Sequence, residues 1–83
     1  MGSRLQGKSL SETQSQIRNL LNKKVRISYN NRGKEVGDVG TITSVFNSLF
    51  IFEYQRNNRS FKSSFTYTDV MTDVICVEEI SKH

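Results

Sequence analysis

Five basic side chains gather around two polar stretches, Arg32 and Lys34 in one, Arg56, Arg59 and Lys62 in the other. Tyr29 and Tyr54 stand nearby in sequence. Cationic loops interleaved with aromatic rings are how small β-barrels hold nucleic acids, by neutralising phosphates and stacking bases. Arg32, Lys34, Arg56, Arg59, Lys62 and Tyr54 are therefore the candidate nucleic-acid contacts. The other chemistry-bearing residues have simpler accounts. Asp69 and Asp73 form a carboxylate pair on paper, but Asp69 is better read as capping a turn begun by Thr68, with Asp73 ending it. A single thiol, Cys76, and a single terminal imidazole, His83, cannot supply the ligands of a zinc site, so Cys76 is expected to pack in the core. Gly37-Asp38-Val39-Gly40 matches a GxxG backbone clamp, yet it lies within a β pattern without flanking helices, so the glycines read as strand-bending. Asn58-Arg59-Ser60 is a glycosylation acceptor in form alone. No nucleophile pairs with an internal His, and no phosphate-binding Gly loop is present. The expectation is no enzyme, with no catalytic, metal or cofactor-binding residues and no cofactor.

The 83 residues suit one domain, and 35% apolar content is enough for a small core. One Cys excludes an internal disulfide framework, no apolar run is long enough for a membrane helix, and the N-terminus lacks the apolar core of a signal peptide. A soluble cytoplasmic protein with no membrane partner is expected. Net charge is +4, concentrated between residues 22 and 66, where eight bases face three acids. Residues 67–83 carry four acids against Lys82. A basic surface is compatible with a polyanionic partner and equally with ordinary solubility.

Residues 1–8 read as a flexible tail, 9–80 as a single helix-plus-barrel domain, and 81–83 as a second tail. Ser9 to Glu12 fits a capping box, with Glu12 reaching back to the Ser9 amide. Leu10, Thr13, Ile17, Leu20 and Leu21 then mark one amphipathic helix ending near Asn22. Val25 to Tyr29 alternates strictly, as a half-buried strand does. A polar loop over 30–35 leads into a strand over 36–45, whose Gly37 and Gly40 predict a bulge or sharp bend. Residues 49–54 form the next strand, 55–59 a turn, and the strand after it carries Phe61 and Phe65. A helical turn over 67–72 and a last strand over 74–78 complete the order. Five strands, with a one-turn helix before the last, is the order of an SH3-like barrel.

The strand over 49–54 is apolar on both faces, Leu49 and Ile51 on one, Phe50, Phe52 and Tyr54 on the other. A barrel has one interior, so the second face needs a cover. The N-terminal helix, a second copy in a homodimer, or stacked bases would each serve. Phe50, Phe52 and Tyr54 are the candidate protein interface, and Phe61, Phe65, Val25, Ile27, Ile42, Ile51 and Val70 the expected core.

These residues resemble a family. The opening helix with Leu10, Ile17-Arg18 and Leu21, then Lys23-Lys24-Val25 and Asn31-Arg32-Gly33-Lys34, are similar to the Veg proteins, as are Gly40-Thr41-Ile42 and Val45 with Leu49-Phe50-Ile51-Phe52. The most specific part is Ser64-Phe65-Thr66-Tyr67-Thr68-Asp69-Val70-Met71-Thr72. The resemblance implies a mainly β fold, an SH3-like or Sm-like five-stranded barrel with one N-terminal α-helix and no enzymatic activity. It also implies stimulation of biofilm formation through contact with a protein partner, a transcriptional regulator of matrix genes.

Overall fold

The computed structural model describes residues 3–4 and 9–80. They form strand β1 (Ser3–Arg4), helix α1 (Leu10–Asn19), strands β2 (Lys24–Asn31), β3 (Lys34–Val45), β4 (Leu49–Arg56) and β5 (Arg59–Thr66), helix α2 (Tyr67–Met71) and strand β6 (Ile75–Glu79). The strands make one antiparallel sheet in the order β1-β6-β2-β3-β4-β5. The five expected strands are β2 to β6. Within the expected tail over 1–8, Ser3 and Arg4 pair with Glu79 and Glu78. The remaining tail positions, and the tail over 81–83, lie outside the described residues. β1 and β5 are the two edges, and no pairing joins them among the described residues, so the sheet is not closed.

Helix α1 starts at the expected cap: the Ser9 hydroxyl accepts from the Glu12 amide at 3.1 Å, and the same hydroxyl, rather than the Ser9 amide as expected, donates to the Glu12 carboxylate at 3.1 Å. The helix is shorter than expected, with Leu20 as its C-cap. Its buried stripe is Thr13, Ile17 and Leu20, whereas Leu10 and Leu21 are exposed. In α2 the N-cap is Thr66 rather than Asp69, and the helix begins at Tyr67 rather than Thr68. The Thr66 hydroxyl accepts from the Asp69 amide at 3.1 Å and the Asp69 carboxylate accepts from the Thr66 amide at 3.2 Å, a complete capping box. Asp73 ends the helix as expected, in the left-handed region at φ 61°.

Both hairpins are tighter than the sequence suggested. The expected loop over 30–35 is a two-residue turn, Arg32-Gly33, with φ 54° and 84°, closed by the Asn31–Lys34 pair. Asn57-Asn58, at φ 55° and 62°, joins β4 to β5 in the same way. Positive φ at both central residues matches the right-handed twist of the strands, and Gly and Asn reach it at least cost. The register shift in β3 falls between Ile42 and Ser44, not at the glycines. Gly40 instead permits close approach: a Cβ there would overlap the Glu53 carbonyl oxygen and lie 2.9 Å from the Tyr54 Cα. Those are backbone atoms of β4 that cannot swing aside.

Register puts Val25, Gly40, Tyr54 and Phe61 in one row across the sheet, then Ile42, Phe52 and Ser63, then Val45, Phe50 and Phe65. Both helices contribute to the core this face bounds, through Ile17, Leu20, Tyr67 and Val70. Phe50 and Phe52 are 0% and 1% exposed. They are core residues, which corrects the expectation that they face a partner. Of the three covers considered, the N-terminal helix is the one whose residues join their cluster. Val25, Ile27, Ile42 and Val70 are buried as expected. Ile51 is not: it lies half-buried on the opposite face, because both faces of β4 are apolar and the helices cover the other one. Phe65 is half-buried and Phe61 is 40% exposed, since both lie on an edge strand. Cys76 is also half-buried, pairing with Ser28 on the face opposite Ile75 and Val77.

Candidate interaction site

Six rings form a continuous chain along the face that packs against the helices. Tyr67 stacks on Phe50 at 5.8 Å, Phe50 meets Phe65 at 6.0 Å, and Phe65 meets Phe52 at 6.4 Å. Phe52 stacks on Tyr54 at 5.4 Å and Tyr54 on Phe61 at 5.6 Å. The chain is buried at the Tyr67 end and emerges at the other. There Tyr54 is half-buried, Phe61 is exposed, and the Arg56 guanidinium lies over the Tyr54 ring at 5.6 Å.

Arg56 is engaged within the fold. Its Nη2 donates to Asp38 Oδ2 at 2.6 Å and its Nε to Oδ1 at 3.3 Å, a two-point fork. The hydrogen bond and the charge of Asp38 raise the Arg56 pKa above its ordinary value. The pair fixes the guanidinium against Tyr54, so ring and cation form a set platform rather than a loose arm.

The other candidates divide by place. Arg59 pairs with Arg56 across the hairpin and shares the face of Tyr54 and Phe61. Lys62 is on the opposite face, across from Glu53. Arg32 and Lys34 occupy the β2–β3 tip. In this meander that tip points the same way as the β4–β5 tip, so the two basic loops share one end of the sheet. They are not adjacent: β3 meets β4 only from about Asp38 onward, so Lys34 stands about 13 Å further out at ~3.3 Å per residue. The structure thus unites Tyr54, Arg56 and Arg59 and separates Lys62, while Arg32 and Lys34 extend the same end. It adds Phe61, whose alternation with Phe65 signalled a strand face but not which end lay uncovered.

At the far end Tyr67, missed as a key residue, holds the β3–β4 turn. Its hydroxyl donates to the Phe46 carbonyl, with the Leu49 carbonyl at 3.2 Å, and the ring is fully buried. Burial pushes the phenol pKa up, with Arg18 and hydrogen bonds opposing. Gln14 of α1 donates to the Asn47 carbonyl of the same turn at 3.2 Å. The described residues contain no group of three His, Cys, Asp or Glu placed to hold a metal, and no helix among them is long and apolar enough to cross a membrane.

A family model described as "Biofilm formation stimulator VEG" matches residues 8–78 of the 83. The chain belongs to the Veg family. Within Veg, the aromatic chain, the Thr66 capping box and both hairpin turns all fall inside the matched span. The description gives a role connected with biofilm formation, that of a stimulator. No curated protein matches the chain.

Proposed function

We propose that this Veg-family chain is a cytoplasmic, non-catalytic regulatory protein that influences expression of biofilm matrix genes through contact with a protein partner. The partner, in this reading, is a transcriptional regulator. The strand order β6-β2-β3-β4-β5 with α2 before the last strand is read as an SH3-like or Sm-like barrel left open. The observation that carries the proposal is the emergence of the aromatic chain at Tyr54 and Phe61 beside a fixed Arg56. An exposed Phe on a stacked Tyr, flanked by Arg, has the composition of protein-binding hot spots. Deleting the gene is expected to lower matrix-gene transcripts and surface growth. Reintroducing the chain as Phe61→Ala should fail to restore them, because a hot-spot truncation costs ~2 kcal/mol or more of binding. Unchanged transcripts in the deletion strain would sink the proposal.

One observation favours a second reading, direct nucleic-acid binding: both basic hairpin tips point from the same end. Arg32, Lys34 and Arg59 would contact phosphates there, with Tyr54 and Phe61 available for stacking. Log affinity should then fall with log salt by about 0.7–0.9 per phosphate contact. Arg59→Ala should flatten that slope by about one contact, and Lys62→Ala should leave it unchanged because Lys62 is on the other face. A gel-shift titration with single-stranded and duplex probes at low salt checks this. No shift at micromolar protein retires the reading.

A further inference from the structure

We propose that the free edge of β5 pairs with β5 of a second copy, antiparallel and about a two-fold axis at Ser63. The two sheet edges differ. At one edge β1 pairs with β6 at Glu78 and Glu79, whereas at the other β5 offers eight residues with no strand on their outer side among the described residues. The two-residue turn makes Arg56–Arg59 the closing hydrogen-bonded pair of the hairpin. Alternation then turns the backbone groups of Arg59, Phe61, Ser63 and Phe65 toward β4, and those of Ser60, Lys62 and Ser64 outward. The ladder stops at Thr66, whose amide is taken by the Asp69 carboxylate. What this edge accepts is an extended strand.

Its own sequence suits it as that strand. About Ser63, Lys62 of one copy and Ser64 of the other form hydrogen-bonded pairs on both sides of the axis. Phe61 then stands opposite Phe65 of the second copy, twice, in the closer non-hydrogen-bonded spacing where aromatic pairs gain most. No like charges oppose one another. A Lys in the middle of an edge strand ordinarily blunts it. Here Lys62 selects the register, because an axis at Lys62 would set two ammonium groups face to face, whereas an axis at Ser63 leaves each across from a serine. Moving the axis to Phe61 shortens the paired segment toward the turn and leaves Phe65 unpartnered. The arrangement is isologous and closes at two copies. It sets the helix-bearing faces side by side, placing the exposed Tyr54–Phe61 stacks of both copies on one surface, whatever partner that surface binds.

Light scattering on the native chain at micromolar concentration is expected to give twice the chain mass. Ser64→Pro removes an outward amide that β4 does not use, and Pro is tolerated on sheet edges in that setting. It should give a monomer with an unchanged circular dichroism spectrum. Ser63→Cys should form an intermolecular disulfide under mild oxidation, since opposed residues ~4.5 Å apart lie within disulfide range. The native chain, carrying Cys76 alone, is the control. A monomeric native chain, or a dimer in which Ser63→Cys cross-links no faster than the control, overturns the proposal. If Ser64→Pro unfolds, the cross-link still decides.

Discussion

Phe52→Ala will leave the domain largely unfolded at growth temperature. Phe52 is 1% exposed and contacts both Tyr54 and Phe65, so truncation removes a ring from the middle of the aromatic chain and opens a void. Such substitutions cost ~3–5 kcal/mol. A domain of this size has total stability near the low end of the ~5–15 kcal/mol range, so the loss consumes most of it. Ile51→Ala, one residue away on the other face, should cost clearly less. Phe65→Ala should also fall below the full core cost, because Phe65 is only half-buried. Urea titrations of the three variants check the order. A Phe52 variant with a midpoint near the native one would show that the ring is not buried in solution.

Tyr67→Phe will lower stability by ~0.5–1.5 kcal/mol while keeping the packing, because it removes the hydroxyl that donates to the part-buried Phe46 carbonyl. The variant also separates the ring from its proton. Burial raises the phenol pKa of the folded state above the ordinary value of 10.0. A group with a raised folded pKa contributes stability that is complete below the unfolded pKa and lost as pH rises through the folded one. Native stability should therefore fall on the alkaline side, from about pH 10 upward. The Phe variant should lack that component of the decline. Thermal melts between pH 8 and 11 compare the two, and parallel alkaline declines would show Tyr67 ionising freely in the fold.

How far the sequence carried the fold depended on what kind of signal each element offered. β2 was legible because Val25, Ile27 and Tyr29 alternate with polar residues, so period and face are fixed together. The Ser9 cap and the end of α2 at Asp73 followed from local hydrogen-bonding chemistry. β4 was legible as a strand but not in orientation: Leu49 and Ile51 are as apolar as Phe50 and Phe52, and period two cannot say which set meets the helices. Only the placement of Ile17, Leu20, Tyr67 and Val70 decides it. Thr66 escaped notice as a cap because it sits within a strand pattern, where Thr is unremarkable. At the candidate site, the basic residues were legible as a set and their distribution was not. Lys62 separates from Arg59 because an odd offset along β5 reverses the face. Arg56 is withdrawn by Asp38, eighteen positions away in sequence, a pairing that needed the β3–β4 register.

The place of β6 has a consequence for how the chain comes to be folded. β2 to β5 form by successive neighbouring hairpins, each closing a short loop at small entropic cost. β6, last in sequence, lies inside the sheet between β1 and β2, and Tyr29 meets Ile75 only after the whole meander has been made. Closing that span is slow compared with hairpin formation. On the ribosome the meander is therefore synthesised with one edge of β2 bare and the flank of Val25 and Ile27 wet, until residues 75–79 emerge and dock. During that interval the nascent chain exposes a strand edge that the finished protein hides, which makes the last strand the step at which chaperones, or premature termination, decide its yield.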